Sequence, residues 1–271
     1  MKRRRIVNAA LFLLIVLASF CMRTYHYNTS VIQLASMIDD VPERERPRME
    51  YVRVAPFGMR LPHWRMFLPF HHANFSPFTI ESAMMFSYAQ DVANGKGVPA
   101  SDPTLCGMED VAPYAQMNMG LEWFLGWGWR VKQWFAPDPP PTERETVYQD
   151  NPRMAQWMSA QMRLWASLTS GLIFLWLLIL RVPRVWAVGA GLLHAVALAG
   201  IARATGQDLV RGEFCIPLVM ASVVLAYWTY ANPKAWKWIP LFATTFLAFV
   251  TWDLCQMLFS CWCLVELLRL A

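Results

Sequence analysis

The chain has 271 residues, of which 56% are hydrophobic and only 16% are charged, and its formal net charge is +5. An average soluble domain is about 45–50% apolar and about a quarter charged, so this composition excludes an ordinary soluble enzyme and indicates a membrane protein. The basic residues lie beside apolar segments and are not interleaved with aromatic ones. The positive charge therefore favours membrane topology over nucleic-acid binding.

Five apolar segments approach the length of about 20 residues that a helix needs to cross about 30 Å of hydrocarbon. They run approximately over residues 6–22, 157–180, 185–202, 215–231 and 238–268. This pattern predicts an all-α, polytopic membrane helix bundle with five spans. The predicted domains are a first span over 1–22, an external loop over 23–156 and a four-span bundle over 157–271.

Basic residues set the predicted orientation. Lys2 and three arginines precede the first span, and the short connections 181–184 and 232–237 are basic and contain no acids. Such loops stay in the cytoplasm, so the N-terminus is predicted to be cytoplasmic and the long loop to lie on the other side. A basic start and an apolar core also fit a cleaved signal peptide. A retained anchor is favoured because no small-x-small site follows and bulky Phe20 precedes Cys21, where a lipoprotein signal requires a small residue.

The long external loop is predicted to carry two helices. A serine–proline start, apolar residues at helical spacing and a stop at Gly95 predict an amphipathic helix over about 77–94. The tryptophan-rich stretch 117–135 is apolar but is interrupted by Glu122 and Arg130. An interfacial helix is favoured there over a sixth span.

Four acids on the predicted non-cytoplasmic side are the candidate functional residues, since the chain has no phosphate-binding glycine loop, nucleophile elbow or dinucleotide fingerprint. Glu81 lies near the start of the first amphipathic helix, where a carboxylate also suits the helix dipole. Asp208 and Glu213 lie in the short loop between the third and fourth predicted spans. Asp253 lies inside the fifth, where a carboxylate is costly and marks a functional site or a water-filled cavity.

Three segments resemble the GT-C superfamily of membrane glycosyltransferases, especially the N-terminal portion of bacterial relatives of the oligosaccharyltransferase catalytic subunit. The segments are Glu81-Ser-Ala-x4-Tyr88-Ala-x5-Gly95-x-Gly-x-Pro99-x-x-Asp102, the acid-bearing loop from Arg203 to Glu213, and Trp252-Asp253-x-x-Gln256. Their order and predicted side agree with that family. Two features depart from it: the second loop reads Arg211-Gly212-Glu213 in place of two acids two residues apart, and family members are longer. The chain is therefore expected to be an N-terminal portion, a split protein or a degenerate relative.

The resemblance implies sugar transfer from a polyprenyl-phosphate-linked donor on the non-cytoplasmic face of a membrane, by implication the bacterial inner membrane. The partners that it implies are the lipid-linked donor, membrane lipids and a second chain that supplies further spans; nucleic acid is not among them. A carboxylate would accept the proton of the acceptor, and a cation or an arginine would stabilise the phosphate.

The resemblance also assigns roles to particular residues. Glu81, Glu213 and Asp208 would be catalytic, and Glu81 and Glu213 would be ligands if the enzyme uses Mg²⁺ or Mn²⁺. The implied substrate-binding residues are Arg203, Arg211, Tyr88, Trp252, Asp253 and Gln256. If these roles are right, Glu81 and the acids of the 203–213 loop should face the same space.

Two other classes of function remain open. A non-catalytic membrane subunit or scaffold would use the long loop to bind a partner protein, and the short chain favours this alternative. A transporter is less favoured, because the sequence has no internal repeat and no matching pair of broken helices.

Overall fold

The computed structural model describes most of the chain, with several gaps. The described residues are 2–37, 51–54, 59–62, 64–68, 78, 80–102, 112–139, 151–197, 201 and 208–270. The α-helices are α1 (Lys2–Met37), α2 (Ile80–Ala93), α3 (Pro113–Gln116), α4 (Gly120–Phe135), α5 (Pro152–Ile179), α6 (Arg184–Val196), α7 (Arg211–Ala231), α8 (Trp238–Thr251) and α9 (Asp253–Leu270). A small antiparallel hairpin pairs Tyr51–Val54 with Met59–Pro62. Within the described ranges the regular secondary structure is therefore helical apart from this hairpin, as the apolar segments predict.

Among the described residues, three helical segments are long and apolar enough to span a membrane: Arg4–Val31, Pro152–Ile179 and Arg211–Ala231. Three other apolar helices are shorter, namely Arg184–Val196, Ala235–Thr251 and Asp253–Leu264. The 13 residues of α6 extend over only about 20 Å at 1.5 Å per residue. The structure thus supports a membrane protein but does not confirm the predicted count of five spans.

The first helix is longer than the predicted span over 6–22. It continues without a break to Met37, although the external loop was predicted to begin at residue 23. The extension is stabilised by tertiary contacts: the guanidinium of Arg163 lies 4.0 Å from the ring centre of Tyr27, and Asn28 Nδ2 donates to the carbonyl of Met66 at 2.8 Å. Polar residues that read as loop in the sequence are helical because α5 and the 64–68 segment cover them.

The predicted fifth span is wrong as a single helix. Trp252 is extended (φ −151°, ψ 129°) and separates α8 from α9. The rings of Phe249 and Phe259 stack with centroids 5.3 Å apart, whereas ten residues of continuous helix would separate them by about 15 Å. The chain folds back at Trp252, and Asp253 becomes the first residue of a new helix, where its charge suits the helix dipole.

Small residues allow close packing in the bundle. A Cβ added to Gly171 of α5 would lie 2.5 Å from the Phe12 ring of α1. In the same pair of helices Ser170 donates to Ser19 at 2.9 Å. Helices α7 and α8 run antiparallel and are joined by Ser222 and Thr244, whose hydroxyls are 3.0 Å apart. Such small and hydroxylated residues are typical of helix contacts in membranes.

The two helices predicted in the loop are present as α2 and α4. Gly95, at φ +81°, ends the first of them in the left-handed conformation that glycine adopts freely. The helices pack closely, because a Cβ on Gly126 would meet the carbonyl oxygen of Ala89 at 2.6 Å. Helix α4 is not among the three candidate spans.

Candidate functional site

Three chain segments that are far apart in the sequence meet at one place. The Leu209 amide, just before α7, donates to the Ser82 hydroxyl in the first turns of α2 at 2.9 Å. A Cβ added to Gly212 would lie 3.4 Å from the ring of Trp252, at the break between α8 and α9. We call this meeting point of α2, the start of α7 and the α8–α9 break the convergence site. It brings together described residues from each of the three segments on which the resemblance rests.

The contact between Ser82 and Leu209 brings two predicted catalytic residues near each other. Because consecutive Cα atoms are about 3.8 Å apart, this hydrogen bond places the Cα atoms of Glu81 and Asp208 within about 12 Å of each other. The main chain is therefore consistent with one space shared by Glu81 and this loop. The side chain of Glu81, like all of Arg203, lies outside the described residues.

A buried ion pair lies beside the convergence site. Arg211 Nη2 donates to Oε1 of Glu122 at 2.5 Å, and the exposed fractions of the two side chains are 13% and 0%. The same Nη2 lies 3.1 Å from Met117 Sδ. Burial raises the pKa of the Glu122 carboxyl and outweighs the opposing effect of Arg211. Arg211 was predicted as a phosphate partner, and the structure gives it a carboxylate partner that the sequence did not suggest.

The hydroxyl of Tyr88 is engaged within the protein. Tyr88 is buried and donates to Asp102 Oδ2 at 2.5 Å. Burial and this hydrogen bond raise the pKa of the phenol, and the charges of Asp102 and Glu122 act in the same direction. Tyr88 therefore remains protonated at neutral pH and holds the Asp102 turn against α2, in addition to any contact with substrate.

The two acids of the second loop have different surroundings. Asp208 is half-buried, and its Oδ1 is buried without a hydrogen-bond partner among the described residues. Glu213, one turn further on, interacts electrostatically with Arg23 of α1. The charge of Glu213 is thus balanced inside the bundle, whereas Asp208 retains an unused acceptor near Ser82.

A divalent-cation site is not formed by the described side chains. Among them, no three His, Cys, Asp or Glu residues lie in a group that could hold a metal ion. Glu213 already faces Arg23, which makes it a poor cation ligand. The other predicted ligand, Glu81, has no described side chain, so Mg²⁺ or Mn²⁺ remains a prediction from the resemblance.

The third segment borders an apolar groove between α4 and α8, which we call the α4–α8 groove. Its volume is about 850 Å³, and most of its lining is aromatic or aliphatic, including Trp123, Phe124, Trp127, Phe242, Phe246 and Phe249. Asn118, Met117 and Gln256 supply polar and sulfur atoms at its border. The Asn118 amide donates to the exposed Asp253 carboxylate, and Gln256 donates to the Phe249 carbonyl at 3.4 Å.

Sequence reasoning missed two residues of this region, Glu122 and Asn118. Glu122 was noticed only as an interruption of an apolar stretch. The signal available in the sequence was an acid within an apolar stretch, because an acid that becomes buried needs a partner. In the structure Glu122 is 0% exposed within a helix of 16 residues. Its partner lies 89 positions away, beyond the reach of local pattern.

Comparisons with protein families, with curated proteins and with solved structures found no match for this chain.

Proposed function

We propose that this chain is a membrane glycosyltransferase, or the N-terminal portion of one, that transfers a sugar from a polyprenyl-phosphate-linked donor on the non-cytoplasmic face of the membrane. The observation that carries the proposal is the convergence site. The segments around Glu81, Asp208 and Trp252 resemble one family's loops separately, and their contacts bring them to a single place. A set of unrelated surface residues has no reason to meet in this way.

The α4–α8 groove supports a lipid-linked substrate. Its volume of about 850 Å³ lies in the range of ligand pockets, about 300–1,000 Å³, that are mostly apolar with a few polar groups. Met117 lines the groove and also contacts Arg211. A prenyl chain in the groove would therefore carry its phosphate towards a guanidinium and towards Asn118 and Gln256.

The proposed step uses groups of the convergence site. The acceptor atom forms a bond to the anomeric carbon while the bond from that carbon to the phosphate oxygen breaks. The proton of the acceptor passes to a carboxylate, for which we propose Glu81 with Asp208 as the second acid. The electron pair remains on the phosphate, where Arg211 stabilises the charge.

The proposed location follows from the basic residues. The N-terminal arginines and the connections 181–184 and 232–237 would share the cytoplasm, which leaves the convergence site on the opposite side of a bacterial inner membrane. A second chain would supply further spans if the enzyme is split.

The test compares Glu81→Gln with the wild-type chain in lipid nanodiscs, with a labelled polyprenyl-phosphate sugar as donor and a membrane extract as acceptor source. If Glu81 is the base, loss of its charge should reduce sugar transfer by about 10²–10⁴-fold. The matched control is Asp91→Asn on the same helix, where the Asp91 carboxylate forms a long contact with Lys96, at 3.9 Å, within the described part of the chain. It should leave transfer unchanged.

Two results would contradict the proposal. Equal transfer by wild type and Glu81→Gln would show that Glu81 serves only the helix dipole. A folded chain that binds a partner protein but leaves the donor unconsumed, alone or with that partner, would favour the non-catalytic subunit.

A further inference from the structure

We propose that Glu122 is a positioning residue: it holds the Arg211 guanidinium at the border of the α4–α8 groove, where Arg211 binds the phosphate of a lipid ligand. This inference rests on the proposed function, since it concerns the same ligand. It adds a residue from a helix that none of the three resembling segments contains.

The position of Arg211 makes such a residue necessary. Arg211 is the first residue of α7, and Gly212 follows it. The direction of this long side chain depends on the atoms that its guanidinium contacts. These are Glu122 Oε1 and Met117 Sδ. Met117 lines the groove, so this arrangement places the positive charge directly behind Met117.

The pair is incompletely bonded. Oε2 of Glu122 and Nε of Arg211 are both buried, and neither has a hydrogen-bond partner among the described residues. A buried ion pair with unsatisfied atoms is a poor source of stability. Its retention in the fold is better explained by placement of a charge than by stabilisation of the helices.

The charge of Glu122 allows placement of the Arg211 guanidinium to be distinguished from stabilisation of the fold. Glu122 faces Arg211 from α7 and lies close enough to Tyr88 of α2 for its charge to act on the phenol. Because burial raises the pKa of Glu122, the folded protein binds a proton at this carboxyl more tightly than the unfolded chain does. The ionised form is therefore a cost to folding as the pH rises above the unfolded pKa. Glu122→Gln removes the buried charge and keeps an oxygen that can accept from Arg211, so its effect on the thermal midpoint measures what the ion pair contributes to stability.

The experiment measures lipid binding by the full chain in nanodiscs, with polyprenyl phosphate and the uncharged polyprenol as the two probes. We expect wild type to prefer the phosphate, and Glu122→Gln to lose about 10–100-fold of that preference, the size of loss that follows removal of a group that orients a metal ligand. In an Arg211→Ala background, Glu122→Gln should cause no further loss, because it acts only through Arg211. Asp138→Asn, which removes the partner of Lys132 at the other end of α4, is the matched control and should keep the full preference.

The outcomes distinguish the two proposals. Absence of any preference for the phosphate in wild type would overturn the proposed function at this site. A preference that survives Glu122→Gln, or a further loss in the Arg211→Ala background, would overturn the positioning role. A lower thermal midpoint for Glu122→Gln with an intact phosphate preference would show that the pair serves only to stabilise the fold.

Discussion

Single residues decide how closely the two loop helices approach each other. Gly126 of α4 lies against the Ala89 carbonyl and the Val92 side chain, and an added Cβ would come within 2.7 Å of both. No rotation of a side chain relieves a contact with a backbone oxygen. The close approach of α4 to α2, and with it the position of Glu122, therefore depends on the absence of a side chain at Gly126.

We predict that Gly126→Ala lowers the free energy of unfolding by about 1–3 kcal/mol, the usual cost of overpacking a tight contact. The control is Gly189→Ala in α6, where an added Cβ meets nothing within 4 Å. That change should be neutral or stabilising by up to about 1 kcal/mol, since alanine is the better helix former. Thermal unfolding in detergent measures both, and equal effects would contradict the close approach.

Lys237 belongs to a basic loop that predicts membrane orientation in the sequence, and it also has a structural role. It is 3% exposed, and its Nζ donates to the carbonyls of Trp228 and Asn232 at the end of α7 while it lies 4.2 Å from the Trp228 ring centre. These carbonyls have no partner within their own helix. The lysine thus caps α7 as well as contributing positive charge.

Lys237→Met should therefore destabilise the protein by about 1–3 kcal/mol, because two carbonyls lose their donor. Lys234→Met provides a control of equal charge change at an exposed site in the same connection. Chemical unfolding of the two variants should separate the capping role from the charge. A similar loss for both would assign the effect to charge alone.

At the scale of elements, the sequence predicted those helices whose signals lie within the helix itself or at its ends. Helix α2 was predicted from its apolar spacing and the stop at Gly95, and α4 from its tryptophan-rich amphipathic stretch. The break at Trp252 could not be predicted, because no glycine or proline occurs between residues 241 and 268. It arises where the Trp252 ring packs over Gly212 and Asn118 binds Asp253, and these are tertiary contacts.

The extension of α1 was missed for the same reason. Tyr25 to Thr29 is a polar, aromatic run that resembles loop sequence, yet Asn28 and Tyr27 are buried. Of the candidate site, the sequence supplied Arg211 and the acids near it. The partner of Arg211 and the groove depend on how α4 lies across the bundle, which no short-range pattern encodes.

At the scale of the whole molecule, orientation in the membrane is the property to test first. A cysteine at Lys234 should resist a membrane-impermeant thiol reagent applied from outside the cell, whereas a cysteine at Lys96, which is 74% exposed, should react. The reason is the bias of basic loops towards the cytoplasm. Labelling of intact cells against lysed cells gives the comparison, in a background in which the native cysteines are replaced by serine. The reverse pattern would place the convergence site in the cytoplasm.

The contact at Gly120 has a consequence for the lipid-linked donor that we propose for the α4–α8 groove. A Cβ on Gly120 would lie 2.7 Å from the Val250 carbonyl, so α4 and α8 touch there, while Trp127 and Phe242 stand on either side of the groove further along. The hydrocarbon chain of the proposed donor would be stopped by this contact, near Met117, and would extend between Trp127 and Phe242. The proposed groove would then contact the first few isoprene units of the donor and leave the rest in the bilayer. Donors with short and with long tails should therefore bind with the same affinity.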